Sequence, residues 1–342
     1  MTEDHKPFAL LFIFTSFTIL LGLQFRWFHP LSVDIKYYFS VADYFFNHAN
    51  LTGVGHPNID YPPGAILYFL LLSLSLFISP TLLMFQTTFI LISIFLLLGI
   101  FKVALDFTQT SKNSFIFYLI IICAGPIPFF RFDLLVIFLT ILSLIFMTKD
   151  RPVLSGIFLG LATMTKIFPV VLLPFMMQVF FIKFGKFKSV FRFLLSFTAV
   201  SVFLLLSYML LTGVGPAAIW RSININVTKE VHIESLLGTV LTVIAHFQYP
   251  GLHNIEFVNE VQSLTPQYYL GHLRIFRYLS TLSVAGAYIL IFFKGLKSKR
   301  WLNLSLPICL FLLFVLILSS HFFLPSIFFG RHFYFRFLIR KS

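Results

Sequence analysis

Asp34 lies in the stretch His29-Pro-Leu-Ser-Val-Asp-Ile-Lys-Tyr-Tyr38, in a chain of 342 residues that holds only twelve acids. Arg131 and Asp133 sit between apolar runs in Phe129-Phe-Arg-Phe-Asp-Leu-Leu135, and Lys166 interrupts Leu161-Ala-Thr-Met-Thr-Lys-Ile-Phe-Pro169. An ionisable side chain inside an apolar segment costs several kcal/mol unless it is paired or hydrated, so such residues are the first place to look for the binding or passage of a charged substrate. A further polar group, Arg221, Lys229, Glu230, His232 and Glu234, falls in the stretch 212–234. Blander readings stand beside these. An acid at a helix start offsets the helix dipole by a few tenths of a kcal/mol, a lysine at a helix end snorkels to an interface, and 212–234 is a solvated loop.

The elements that must position these residues are membrane helices. The chain is 58% hydrophobic and 11% charged with 48 phenylalanines, and its mean hydropathy is +0.94. A soluble domain is roughly 45–50% apolar and 25% charged. Runs free of Asp, Glu, Lys and Arg cover 7–25, 64–101, 113–130, 193–220 and 301–330, the longer ones meeting the ~20 residues that span a bilayer core. Backbone groups cannot stay unpaired in lipid, so these runs are expected to be helices. The opening Met1-Thr-Glu-Asp-His-Lys mixes charge signs and no small-residue cleavage site follows, so the first apolar run reads as an anchor rather than a secretory signal. Cys123 and Cys309 fall within apolar runs, where packing is the expectation rather than a disulfide.

The net charge of +13 would suit nucleic acid, but the cations cluster at segment ends, as in cytoplasmic loops of membrane proteins. Lys183, Lys186, Lys188 and Arg192 form one such cluster and Lys294, Lys297, Lys299 and Arg300 another. Both are expected on the cytoplasmic side, no nucleic-acid partner is expected, and the mixed stretches 26–62 and 212–234 fall outside. Candidate helices are 8–25, 64–80, 81–103, 115–130, 133–148, 153–165, 168–182, 193–211, 235–247, 274–293 and 301–324. The expected fold is all-α, a polytopic transmembrane bundle of about 8–11 membrane segments. An outside 26–62 and an inside 183–192 require an odd number of crossings, yet six candidates lie between them. One is therefore expected to be a broken or re-entrant piece near Gly125-Pro-Ile-Pro128 or Lys166-Ile-Phe-Pro169, and broken helices line cavities. The 13-residue segment 235–247 is too short to span.

Within the first outside loop, 26–63, the residues Val33, Tyr37, Val41, Tyr44, Phe45 and His48 form a helical stripe, which predicts an amphipathic helix lying on the membrane surface with Ser32 as its N-cap and Asp34 in its first turn. Asp60-Tyr-Pro-Pro63 then fixes an extended entry into the next helix.

Asp34, Tyr61-Pro62-Pro63, Arg131-Phe-Asp133, Gly160-Leu-Ala-Thr-Met-Thr-Lys-Ile-Phe-Pro169 and His232-Ile-Glu-Ser235, in that order and spacing, resemble the polyprenyl-phosphomannose-dependent mannosyltransferases of the GT-C superfamily. The resemblance covers roughly residues 8–240. It implies a GT-C fold whose first outside loop holds a catalytic acid at a cavity reached from the outer leaflet. It implies a sugar donor on a polyprenyl phosphate and a glycolipid or glycan acceptor. Asp34 would then be the general base for an inverting attack. Lys166, Arg131 or Arg221 would bind the phosphate leaving group, with Asp133, His232, Glu234 and Asp60 as further substrate-binding candidates. Tyr37, Tyr38 and Tyr61 would be candidates for sugar contacts, with packing as the stronger alternative. Metal use is left open by the resemblance. The outside acids Asp34, Asp43 and Asp60 have no recognisable ligand spacing, and a divalent cation stays a candidate.

The carboxyl end departs from the family pattern, which usually continues with a Ser-Pro-Gln-Tyr-like motif. Here the chain ends Gly330-Arg-His-Phe-Tyr-Phe-Arg-Phe-Leu-Ile-Arg-Lys-Ser342. The expectation for 325–342 is an atypical basic tail produced by truncation or a frameshift, which would leave an inactive homologue. Two other classes stay open: a transporter or lipid flippase in which Arg131, Asp133 and Lys166 line a substrate path, and a non-catalytic subunit of a glycosyltransferase complex.

Overall fold

The computed structural model describes residues 28–47, 61–108, 129–182 and 187–213, the strands within 255–264, and a few isolated positions. Helix α1 is Phe28–Asn47, α2 Pro63–Ser73, α3 Leu82–Thr108, α4 Asp133–Thr148, α5 Pro152–Thr165, α6 Leu173–Ile182 and α7 Phe187–Thr212. A two-stranded antiparallel hairpin, β1 Ile255–Val258 and β2 Val261–Leu264, is the non-helical exception among the described residues. The expected segments 8–25, 115–130, 235–247, 274–293 and 301–324, the Gly125–Pro128 interruption and the 325–342 tail lie outside the described residues, isolated positions aside.

Helix α1 begins at Phe28, so Ser32 lies inside the helix and is not its N-cap, and Asp34 is beyond the first turn. Pro30 does not prevent this earlier start, because the first turn of a helix has no intrahelical use for its N–H groups. The buried face of α1 is Ile35, Tyr38, Val41 and Ala42, one step around from the predicted stripe, with Tyr37 and Tyr44 half-buried. That face packs on protein. Tyr38 stacks on Phe69 of α2 at 4.5 Å and on Phe89 of α3 at 5.7 Å, and Phe39 meets Phe85 edge-on. A helix is present over this stretch as expected, but its apolar side packs on α2 and α3.

Pro62 and Pro63 set up α2 as expected: Pro62 is extended, Pro63 occupies the helix start, and its missing N–H is one of those that the first turn leaves unused anyway. Helices α4 and α5 form an antiparallel pair closed by Lys149-Asp150-Arg151. Arg151 N–H donates to Phe146 O and Asp150 N–H to Met147 O, with Asp150 left-handed at φ 51°, which is a Schellman stop built without glycine. Pro152 then starts α5. Near the closed end, the fully buried Ser143 and Ser155 each donate to the other's carbonyl, at 2.7 and 3.0 Å, and Phe146 stacks on Phe158 at 5.3 Å.

Gly156 and Gly160 carry the contact between α5 and α7. A Cβ on Gly156 would collide with Phe193 O and Ser196 Oγ, and one on Gly160 would come within 3.0 Å of Phe197 O. This is the close backbone approach that a small-xxx-small spacing permits between apolar helices. The pairing of 156 with 193 and 160 with 197 makes the two helices parallel. Gly64, at the start of α2, likewise abuts the end of α5, where a Cβ would lie 2.7 Å from the Met164 carbonyl.

Helix α5 stops at Thr165, Lys166 is extended at φ −153° and ψ 132°, and a 3-10 turn over Phe168–Leu172 precedes α6. The expected break at Lys166–Pro169 is present. It leaves α5 as a 14-residue and α6 as a 10-residue element, about 21 and 15 Å long. Among the described residues two helices are long and apolar enough to cross a membrane, over Leu82–Val103 and Phe187–Leu211. The second starts earlier than the sequence suggested, since Lys188 and Arg192 lie on its exposed first turns. Along α7 an unbroken apolar face, Phe187, Phe191, Leu195, Phe203 and Leu210, is exposed, as expected of lipid contact. The chain divides into two compact units, one of 1–173 with 184–227 and one of 174–183 with 228–342, and the residues described next belong to the first.

Candidate functional site

At the open end of the α4–α5 pair, opposite the Lys149-Asp150-Arg151 turn, two ion pairs flank one phenylalanine. Arg131 Nε donates to Asp34 Oδ2 at 2.8 Å, joining residues 97 apart in sequence. Lys166 Nζ donates to Asp133 Oδ1, across 33 residues. Phe132 lies between the two pairs in the chain, and its ring is 5.8 Å from Lys166 Nζ. Lys166 is the same 5.8 Å from the Phe168 ring, so two aromatic faces support the ammonium.

Each charge is held by a different local device. Asp34 comes from α1. Arg131 sits in a short turn whose neighbours Phe129, Phe130 and Phe132 are all buried, so the turn is pinned and the guanidinium is aimed. Asp133 is the first residue of α4, where an acid is favoured by the helix dipole. Lys166 takes its direction from the abrupt end of α5, which Gly64 holds against the start of α2. The side chains of all four are partly accessible, at 16% for Arg131, 29% for Asp34, 26% for Lys166 and 22% for Asp133. The pairs are neither sealed in the core nor fully hydrated.

An aromatic wall adjoins them. Tyr61 meets Phe132 edge-on at 5.3 Å, Tyr38 at 5.8 Å and Tyr37 at 5.7 Å, while Phe132 also contacts Tyr38 and Phe69. Tyr38 is 1% exposed and is a core residue, so among the tyrosines predicted to meet a sugar only Tyr37 and Tyr61 retain accessible surface. Burial, with the Asp34 charge next among the charges that raise it, pushes the Tyr61 phenol well above its ordinary range. Burial raises Tyr38 as well, with Tyr61 the second cause. Both stay neutral hydrogen-bonding groups rather than acids.

Of the residues singled out from sequence, the structure gathers Asp34, Tyr37, Tyr38, Tyr61, Arg131, Asp133 and Lys166. Asp60, Arg221, His232 and Glu234 lie outside the described residues. Among the described residues no group of three His, Cys, Asp or Glu side chains that could hold a metal ion is present. Sequence reasoning missed Phe132, the aromatic centre of the cluster, whose signal was its position between Arg131 and Asp133. It also missed Gly64 and Gly156, whose signals were the Pro-Pro-Gly entry to α2 and the Gly-x-x-x-Gly spacing in α5. Chemically, the arrangement supplies a carboxylate able to accept a proton, two cations able to hold an anion, and rings suited to the apolar face of a sugar. No family model, no curated protein and no solved structure matches the chain.

Proposed function

We propose that the chain is an integral membrane glycosyltransferase of GT-C type. It moves a hexose, most simply mannose, from a polyprenyl phosphate to an acceptor hydroxyl on a glycolipid or glycan at the outer face of the membrane, with inversion. The observation that carries this reading is the meeting of Asp34, Arg131, Asp133 and Lys166 around Phe132 beside Tyr37 and Tyr61. Asp34, Tyr61, Arg131, Asp133 and Lys166 all fall in the motifs that carry the resemblance to polyprenyl-phosphomannose-dependent mannosyltransferases.

The acceptor oxygen forms a bond to the anomeric carbon as the bond from that carbon to the phosphate oxygen breaks. The acceptor's proton passes to the Asp34 carboxylate. The electron pair of the broken bond leaves on the polyprenyl phosphate, whose growing charge Arg131 and Lys166 stabilise. Phosphate is a good leaving group, so no proton donor is required opposite the base.

A second reading has one observation in its favour. The helix break at Lys166–Pro169 is the kind of interruption that lines substrate paths in transporters. Membranes containing the protein and supplied with radiolabelled polyprenyl-phosphate mannose separate the two. The glycosyltransferase forms a glycosidic product; a transporter or flippase moves label across the bilayer and forms none.

A further inference from the structure

We infer that Asp34 and Asp133 are resident counter-anions of the site, and that an incoming phosphate ester displaces them from Arg131 and Lys166. Binding of the phosphate thus releases Asp34. The exchange itself rests on the two ion pairs; the use made of the released Asp34 rests on the glycosyltransferase reading.

The argument begins with charge balance. Two cations and two carboxylates make these four side chains formally neutral together. A phosphate that binds must compete with a carboxylate for the same N–H donors. It has the means to do so: its several acceptor oxygens engage a guanidinium bidentately and an ammonium at once. Accessibility permits the exchange, because at 16–29% exposure each partner can be reached from solvent without opening the core. Meanwhile Phe132 and Phe168 keep Lys166 in place after its carboxylate departs.

The consequence for Asp34 follows from its hydrogen bond. Oδ2 accepts from Arg131 Nε at 2.8 Å, so one of the two carboxylate oxygens is engaged by the guanidinium while the pair is intact. When the phosphate takes Arg131, that oxygen becomes available. Seating the donor phosphate thus frees the whole Asp34 carboxylate for the acceptor hydroxyl. The pairs also join separate parts of the fold, α1 to the 129–132 turn and the start of α4 to the end of α5, so the exchange loosens contacts at the mouth of the site as the ligand enters.

The exchange has a sign that an orienting role for the acids does not. Full-length protein in phosphatidylcholine nanodiscs is titrated calorimetrically with farnesyl phosphate, and in a parallel arm with inorganic phosphate. Asp133→Asn and Asp34→Asn are each expected to bind farnesyl phosphate about two- to fivefold more tightly than the wild type, the range an accessible ion pair is worth. Lys166→Gln binds more weakly, and Asp133→Asn combined with Lys166→Gln gains nothing over Lys166→Gln alone. The same ranking with inorganic phosphate shows that the phosphate group alone drives the exchange; the ranking with farnesyl phosphate only shows that the prenyl chain must anchor it. Asp133→Ser, which keeps a favourable side chain at the helix start, reproduces the tightening if Asp133→Asn fails to fold. Binding that weakens or stays unchanged in both asparagine variants overturns the proposal, as does a wild type that binds neither ligand. Tightening without any sugar transfer by the wild type refutes the glycosyltransferase reading alone, and transfer without tightening refutes the exchange alone.

Discussion

At the scale of single residues, the account turns on pairs that the sequence presents as isolated charges. Asp34 and Arg131 are separated by most of a hundred positions, and nothing in their local spacing pairs them; the apolar setting, which makes an uncompensated charge costly, points to Arg131, and scarcity of acids together with the family resemblance points to Asp34. Lys166 looked equally suited to snorkelling, and its pairing with Asp133 depends on α5 stopping one residue earlier, a boundary legible from the Ile-Phe-Pro that follows. The buried face of α1 differs from the stripe read in the sequence because a period-four stripe does not distinguish adjacent faces of a short helix, and the contacts of α2 and α3 select the face that carries Tyr38. Lys166→Gln removes a charge-assisted contact worth about 1.5–3 kcal/mol, so kcat/KM for a polyprenyl-phosphate sugar is expected to fall roughly 10- to 100-fold in steady-state assays. The phenols make a pH prediction. In the unfolded chain they ionise near pH 10, whereas burial keeps Tyr38 and Tyr61 neutral to higher pH in the folded one. Above about pH 10 the unfolded state therefore binds fewer protons, and the stability contributed by these groups is lost as pH rises. Tyr61→Phe is expected to make the alkaline fall in melting temperature shallower, as followed by scanning fluorimetry across pH.

At the scale of elements, α4 and α5 were readable almost to the residue, because Asp133, the Lys149-Asp150-Arg151 turn and Pro152 are strong local punctuation. The start of α7 was not, since Lys188 and Arg192 resemble loop residues in the sequence, whereas long cationic side chains extend from a helix's first turns to water without ending it. The packing of these helices depends on glycine. Gly156→Leu places a branched side chain where Phe193 O and Ser196 Oγ already sit, and overpacking of this kind costs about 1–3 kcal/mol or more. The expected outcome is a lowered melting temperature in detergent or nanodiscs. Gly64→Ala tests a different contact. Its Cβ would press on the Met164–Thr165 backbone at 2.7 to 2.8 Å, so it is expected to reduce sugar transfer by displacing Lys166, while leaving the α5–α7 contact and most of the stability in place.

At the scale of the whole molecule, the helices and the apolar exposed face of α7 are what a membrane protein requires, and the polar groups are sorted to opposite ends of the first unit. The ion-pair cluster lies at one end of the α4–α5 pair. Lys149 and Arg151 of the turn, with Lys188 and Arg192 at the start of the parallel α7, lie exposed at the other. The grouping of Lys188 and Arg192 at a segment end was legible in the sequence; the convergence of Asp34 and Asp133 was not, because it is a property of the assembled helices. With Cys123 and Cys309 replaced by serine, single cysteines at Lys36 and at Lys149 are expected to react with a membrane-impermeant maleimide from opposite sides of oriented vesicles, Lys36 from the extracytoplasmic side. The most direct test of the central claim is sugar transfer by Asp34→Asn in protein shown to be inserted and folded. The account predicts near-complete loss of glycosidic product from a labelled polyprenyl-phosphate mannose, with binding of the donor's phosphate retained. Transfer at the wild-type rate would contradict it, and would remove Asp34 from the chemistry.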